Sequence, residues 1–336
     1  MKRVFLVMLL LLSIHAVAKD KSAKPNIIYI LADDLGYGDV KCFNENGKIA
    51  TPNLDAMASN GVMFTDAHTS SSVCTPTRYG IITGRYNWRS SLKNGVLNGY
   101  SKSLITPERV TVAEMLQSQG YTTAFVGKWH MGWDWAYKSP AEQDENLDAG
   151  FKVDYSKKVA NGPSTHGFDY SFGFCGSLDM APYVYVENDK PTMVPTKTSQ
   201  SVDDKGFWRV GPTSDDFVHA DVLQDLTDKA VQYIDGKANG KSPFFLYFPL
   251  PAPHTPILPK TEFLGKSNTN MYGDFVMQVD DVVKQIRKVL EEKGIAENTL
   301  LVFTSDNGCS PKANFGELER VDHDPSYVFR GMKSDL

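Results

Sequence analysis

The sequence predicts an α/β fold with a mostly parallel central sheet sandwiched by helices. Three observations carry this expectation. Apolar β-type runs alternate with helical segments, the order that gives parallel strands joined by crossover helices. Four of these runs stop at polar clusters: Asp33-Asp34, Lys128 with His130, His254, and Asp306-Asn307. The chain has 336 residues, enough for one large or two ordinary domains, and its 41% hydrophobic content supplies a sizeable core.

The elements follow in order. Lys2 and Arg3 precede an apolar run over 4–14, and Ala16-Val17-Ala18 offers small residues for cleavage. Residues 1–18 therefore read as a signal peptide, and the run is shorter than the roughly 20 residues of a membrane span. No Cys follows the cleavage site, which argues against a lipid anchor. The mature chain is expected to start near Lys19 and to be exported, periplasmic or secreted, with no stable membrane insertion. Residues 26–32 (Asn-Ile-Ile-Tyr-Ile-Leu-Ala) form a continuous apolar run, the mark of a strand covered on both faces. Pro52 opens a helix through Met57, with Gly61 beyond it, and a second helix is expected over 77–83. A third covers 112–119 up to Gly120, followed by a strand over 121–126.

Residues 133–215 show no clear periodicity and are rich in Gly, Pro, Asp and Lys. They read as long functional or rim loops with short strands. Trp88, Trp133, Trp135, Tyr137 and Tyr183, in candidate rim loops, are candidates for stacking on sugar rings or aryl groups, or else packing residues. Regular structure returns with a helix over 217–234, a strand over 244–248 and a helix with one apolar face (Val276, Val279, Val283, Ile286, Leu290). Gly294 stops that helix, and a strand over 299–303 runs into Ser305-Asp306-Asn307. In parallel sheets ligands bind beyond the carboxyl ends of the strands. The four polar clusters therefore converge on one sheet edge.

Net charge is -5 with a pI near 5.8, so no nucleic-acid partner is indicated, and an anionic substrate needs local cations. Asp33, Asp34, Asp306 and Asn307 offer hard oxygen ligands, which suit Ca²⁺ or Mg²⁺ better than zinc. Taken singly, each acidic cluster reads equally well as a turn. His130 and His254 are candidates for proton transfer. His68, His166, His219 and His323 read as core hydrogen-bonding residues. Arg78, Lys128 and Lys333 can hold a tetrahedral anion. Cys74, just ahead of a helix, is a candidate nucleophile. With Cys74 committed to chemistry, Cys42, Cys175 and Cys309 allow at most one disulfide, of unassigned pairing.

Cys74-Thr75-Pro76-Thr77-Arg78 followed by Thr83-Gly84-Arg85 matches the C-x-P-[ST]-R…TGR signature. Through it, and through Asp33-Asp34-Leu35-Gly36, Gly127-Lys128-Trp129-His130, His254-Thr255-Pro256, Asp306-Asn307-Gly308 and Arg330-Gly331-Met332-Lys333, the chain resembles the type I, formylglycine-dependent sulfatases of the alkaline-phosphatase superfamily. The resemblance spans nearly the whole mature chain. It implies that Cys74 is converted to Cα-formylglycine by a formylglycine-generating enzyme or radical maturase. It implies one Ca²⁺ held by Asp33, Asp34, Asp306, Asn307 and the modified residue 74. Arg78, Lys128 and Lys333 would neutralise the sulfate. One hydroxyl of the formylglycine hydrate would attack sulfur, His254 would protonate the departing ester oxygen, and His130 would take the second hydroxyl's proton to expel inorganic sulfate.

The implied substrate is a sulfate ester, with a sulfated polysaccharide or oligosaccharide expected from export and the long loops. Two other readings of the same scaffold are a phosphoester or phosphonate hydrolase and a non-catalytic sulfated-glycan binder. Asn307, where two-zinc phosphohydrolases carry His, argues against zinc. The family usually continues past the lysine of the R-G-x-K motif, whereas only Ser334-Asp335-Leu336 follow Lys333. The catalytic domain over 19–336 is therefore expected to be incomplete at its C-terminus, exposing an apolar sheet edge.

Overall fold

The computed structural model describes residues 24–139 and 147–335; the predicted signal peptide lies outside them. The strands are β1 (Asn26–Asp33), β2 (Thr122–Lys128), β3 (Tyr170–Phe174), β4 (Val186–Glu187), β5 (Lys190–Pro191), β6 (Lys197–Ser201), β7 (Trp208–Thr213), β8 (Phe244–Pro253) and β9 (Thr299–Ser305). Seven form one sheet in the order β5-β4-β3-β2-β8-β1-β9, while β6 and β7 make a separate hairpin. The five strands from β3 to β9 run parallel, and only the short β4 and β5 are antiparallel. This is the predicted mixed, mostly parallel α/β sheet.

Burial follows position in the sheet. All ten residues of β8, at the centre, are buried, as a continuous apolar run requires. The outermost strand β9 is only half-buried, and Leu300 there is 52% exposed. Helices α1 (Pro52–Ser59), α2 (Cys74–Thr83), α3 (Val112–Ser118), α4 (Val222–Lys237), α5 (Met271–Glu292) and α6 (Phe315–Glu319) complete the regular structure. α4 packs on α5 and both pack on β8, while α2 packs on α3 and α3 on β2. The α5 face predicted from Val276, Val279, Val283, Ile286 and Leu290 is buried. Asn270 starts α5 by accepting the Tyr272 and Gly273 N–H groups, and Gly294 ends it with φ 66°.

Four expectations need correction. The helix expected over 77–83 begins at Cys74 itself, and the one expected from Phe217 begins at Val222. Here Ser214 and Val218 accept turn hydrogen bonds from Phe217 and Asp221 instead. β2 runs on to Lys128, so that lysine belongs to the strand. The aperiodic middle also supplies β3, a parallel strand of the main sheet. Its Gly173 lies against the Gly127 carbonyl, where a Cβ would come within 2.0 Å, so the sequence there shows no β-branched signal.

The start of α1 lacks a local side-chain cap. Asp280 of α5 supplies one across the structure, accepting from the backbone N–H groups of Asn53 (3.1 Å) and Leu54 (2.8 Å). Asp280→Ala strands both donors and is expected to cost about 1–3 kcal/mol. A lower urea midpoint with an unchanged m-value would be the measured outcome. A second prediction concerns His219, stacked on Trp208 at 4.0 Å. Burial pushes its imidazole down to about 4. The unfolded chain therefore takes up a proton below about pH 6.5 that the native protein refuses. The stability His219 lends is present above that pH and is lost as pH falls from about 6.5 to about 4. His219→Gln is expected to flatten the stability–pH slope in that window, read by equilibrium unfolding.

Candidate active site

Parallel register brings the strand ends level: Ala32 pairs with Ser305, Asp33 with Pro253, and Lys128 with Phe174. Asp33 ends β1, Lys128 ends β2, His254 follows β8 directly and Asp306 follows β9 directly. All four predicted clusters therefore meet at one edge. Cys74 opens α2 beneath them, and Arg78, one turn later, shares its helix face. Two non-glycine residues adopt the left-handed backbone region where the chain leaves the sheet, Asp34 (φ 66°) and His130 (φ 54°). Such strain persists where the surrounding structure enforces it, often at functional sites. Gly127 is needed for a different reason. A Cβ there would lie 2.0 Å from the Pro249 carbonyl, pushing β2 off β8 and moving Lys128 with it.

The side chains form one buried network. Cys74 Sγ lies 3.5 Å from Asp33 Oδ1, and Lys128 Nζ donates to Asp33 Oδ2. Arg78 Nη2 donates to Asp306 Oδ2 at 2.9 Å and lies 3.5 Å from Asp33, while Nη1 donates to the Lys128 carbonyl at 3.0 Å. Lys333 Nζ lies 2.8 Å from the Asp34 carboxylate, and His254 Nε2 lies 3.6 Å from it. Asn307 Nδ2 donates to Asp34 Oδ1 at 2.7 Å, and the Asp34 N–H donates to Asp306 Oδ1 at 3.2 Å. Lys333 is fixed by its own N–H on the Cys309 carbonyl and by the Ser334 N–H on the Ser72 carbonyl, at 2.9 and 3.0 Å. The C-terminal segment is thereby tied to the loop before Cys74.

Charge crowding shapes the titration of these groups. Burial alone would raise Asp33, but Lys128, His254 and Arg78 outweigh it and hold the carboxyl well below its usual range. Burial and the Asp33 carboxylate together push Asp306 up to about 7. Burial and Asp33 push the Cys74 thiol up to about 12. As a plain thiol it stays protonated at neutral pH and is a poor nucleophile. Burial and then Lys128 hold His130 well below its ordinary value, and burial and then Lys333 lower His254.

These residues fit a hard cation. Ligand atoms of Asp33, Asp34, Cys74 and His254 lie within 4.8 Å of one another. Asn307 Oδ1 is buried without a partner among the described residues, and burial and the neighbouring Asp33 raise the Asp306 carboxyl. Asp306 and Asn307 stand beside the cluster; Asp306 faces Arg78 and the Asp34 N–H, and Asn307 presents its amide nitrogen to Asp34.

Other residues fall outside the sequence reading. Ser177 accepts from Lys128 Nζ at 3.1 Å and lies 3.4 Å from His254 Nδ1, joining two elements of the site. It follows β3 at the same edge, so recognising that strand would have exposed it. Trp133, Trp135 and Tyr183 are buried packing residues and not rim residues, whereas Trp88 is exposed and stacks on Tyr86. His68 is exposed and pairs with Asp66, unlike the buried His166, His219 and His323. All four cysteines are free. No helix of the described residues is long and apolar enough to cross a membrane.

A parallel sheet whose carboxyl edge gathers three acids, three bases and a helix-borne cysteine brings opposite charges together where such sheets bind ligands. The sulfatase family profile matches residues 25–331, and the chain belongs to that family. It is 33% identical to an N-acetylgalactosamine-6-O-sulfatase of Bacteroides thetaiotaomicron, over 93% of this chain and 65% of that protein. It is 30% identical to the N-acetylgalactosamine-6-sulfatase of Mus musculus, over 90% of this chain and 54% of the relative. A solved structure from a Bacteroides thetaiotaomicron locus for metabolism of multiple glycosaminoglycans superposes with TM-score 0.78 at 32% identity, covering 93% of this chain and 69% of that one. The chain thus spans between about half and two-thirds of the curated relatives' length.

Lys128→Met removes a principal counter-charge of Asp33 in a fully buried setting. It is expected to destabilise the protein by roughly 3–5 kcal/mol, the cost of leaving one partner of a buried pair. Chemical denaturation of the variant against the unsubstituted chain measures it.

Proposed function

We propose that this protein hydrolyses sulfate monoesters, with residue 74 converted from Cys to Cα-formylglycine and one Ca²⁺ bound by Asp33, Asp34, Asp306, Asn307 and residue 74. The observation that carries this reading is the convergence of Cys74, the three acids, Arg78, Lys128 and Lys333 in one buried network. The inertness of a thiol pushed up to about 12 supports conversion, because the cysteine as it stands is a poor nucleophile. When present, the formylglycine hydrate supplies a geminal diol as nucleophile, and Ca²⁺ supplies charge to polarise a sulfate oxygen.

The chain's own residues do the rest. Arg78, Lys128 and Lys333 bring fixed positive charge to a largely buried site, where it holds the sulfate ester's negative charge more strongly than in water. His254 Nε2 faces the site, because Nδ1 is turned to Ser177 and Thr255. Lowered by burial and Lys333, its imidazolium gives up a proton readily, here to the departing ester oxygen. His130 Nε2 donates to the Leu97 carbonyl at 2.7 Å, which can only accept. Its Nδ1 is therefore the unprotonated nitrogen, buried and without a partner among the described residues, and ready to take a proton from residue 74. Ser177 holds Lys128 and His254 in register.

The substrate we propose is a sulfated carbohydrate. The relatives named for N-acetylgalactosamine 6-sulfate support that class. Export through residues 1–18 and maturation by a formylglycine-generating enzyme or radical maturase complete the proposal.

Mass spectrometry of the peptide spanning residue 74 is expected to show the aldehyde in place of the thiol. Nitrophenyl sulfate turnover is expected to fall about 10³-fold or more in Cys74→Ala. An unmodified thiol together with undiminished turnover in that variant would sink the reading. His254→Ala is expected to cost about 10²–10⁴ in kcat for an alkyl sulfate and far less for nitrophenyl sulfate, whose leaving group needs no proton.

A further inference from the structure

Beside His254 lies a carboxylate that the sulfate chemistry does not use. Asp179 is 9% exposed and follows Ser177 by two residues on the turn after β3. Its Oδ2 is held by Arg209 of β7. Arg209 also donates to the Asp179 carbonyl twice, from Nη1 at 3.0 Å and from its own N–H at 3.1 Å. Asp179 Oδ1 is buried and has no hydrogen-bond partner among the described residues. Burial would raise this acid, but His254, Arg209 and Lys128 outweigh it and keep the carboxyl below its usual range, so it is ionised.

A buried carboxylate oxygen without a donor is costly and needs an explanation. The anion cradle cannot provide one, because sulfate carries no donor and repels the carboxylate. A neutral hydroxyl can. Ser177 contacts His254 at 3.4 Å, so the turn bearing Asp179 adjoins the group assigned to protonate the leaving oxygen. Asp179 thus stands on the alcohol side of the scissile bond. The Arg209 side chain behind it is 36% exposed and offers further donors to solvent. An acceptor and a donor side by side match a polyol.

We propose that Asp179, braced by Arg209, accepts a hydrogen bond from a free hydroxyl of the substrate's alcohol portion and selects a sugar sulfate over a sulfate ester without hydroxyls. The inference rests on the sulfatase reading above and assigns the specificity of that same site.

The test uses the full chain with residue 74 converted. Nitrophenyl sulfate, which has no hydroxyl, is compared with N-acetylgalactosamine 6-sulfate and its mono-deoxy analogues. Asp179→Asn, nearly isosteric, is expected to lower the sugar-to-aryl ratio of kcat/KM by about 10–100-fold, the loss of one hydrogen bond to a charged group. One deoxy analogue is expected to suffer a similar loss with the unsubstituted enzyme and no further loss with Asp179→Asn, a coupling that a merely structural role would not produce. The deoxy comparison needs no variant, so it stands even where Asp179→Asn folds poorly. Equal losses on sugar and aryl substrates, additive losses in the cycle, or aryl turnover with no sugar sulfate cleaved would each overturn the inference while leaving the sulfatase reading intact. Absence of turnover on every substrate would remove that reading and the inference with it.

Discussion

Mutual neutralisation of buried charge is the constraint on which the rest of this structure depends. Asp33, Arg78, Lys128 and Asp306 are all fully buried, and each is tolerable only because another stands against it. Removing water from such a set is expensive, and only a rigid frame keeps the partners close enough to compensate. The parallel sheet is that frame. Its central strand is buried along its whole length, and its level strand ends deliver one side chain each to the same edge.

The frame also sets the charge balance of this edge. Three acids and three bases interleave, so their formal charges largely cancel. The tension shows in Asp306, whose carboxyl rises toward neutrality while Asp33 stays ionised next to it. Two carboxylates that share one guanidinium cannot both keep their charge cheaply. An added cation relieves that repulsion, which is why the acids read as a metal site and not as surplus.

Much of this was legible in the sequence because continuous apolar strands announce themselves and polar residues immediately after them are anomalous. That reasoning alone places Asp33, Lys128, His254 and Asp306 at one edge. Their partners were less visible. β3 is short, contains Gly173 and sits in a stretch without periodicity, so Ser177 and Asp179 beyond it carried no strand-end signal. For Trp133 and Trp135 the sequence leaves stacking on a ligand and packing equally open, because indole suits both. In the fold their rings pack edge to face, and the Trp135 N–H donates to the Gly99 carbonyl. The trans-cap from Asp280 to α1 joins residues 226 apart and has no local signature at all.

The position of Cys74 has a temporal consequence. Its side chain sits at the root of α2, 1% exposed, under a lid made by the ends of four strands and by a segment from the far end of the chain. No macromolecular catalyst can grip this residue in the finished protein, since reaching the sulfur means unpicking the contacts that bury it. Any enzymatic alteration of residue 74 therefore belongs to the life of the nascent or still-open polypeptide. Any such alteration, and any chemistry that residue 74 then performs, would be separated by the act of folding itself.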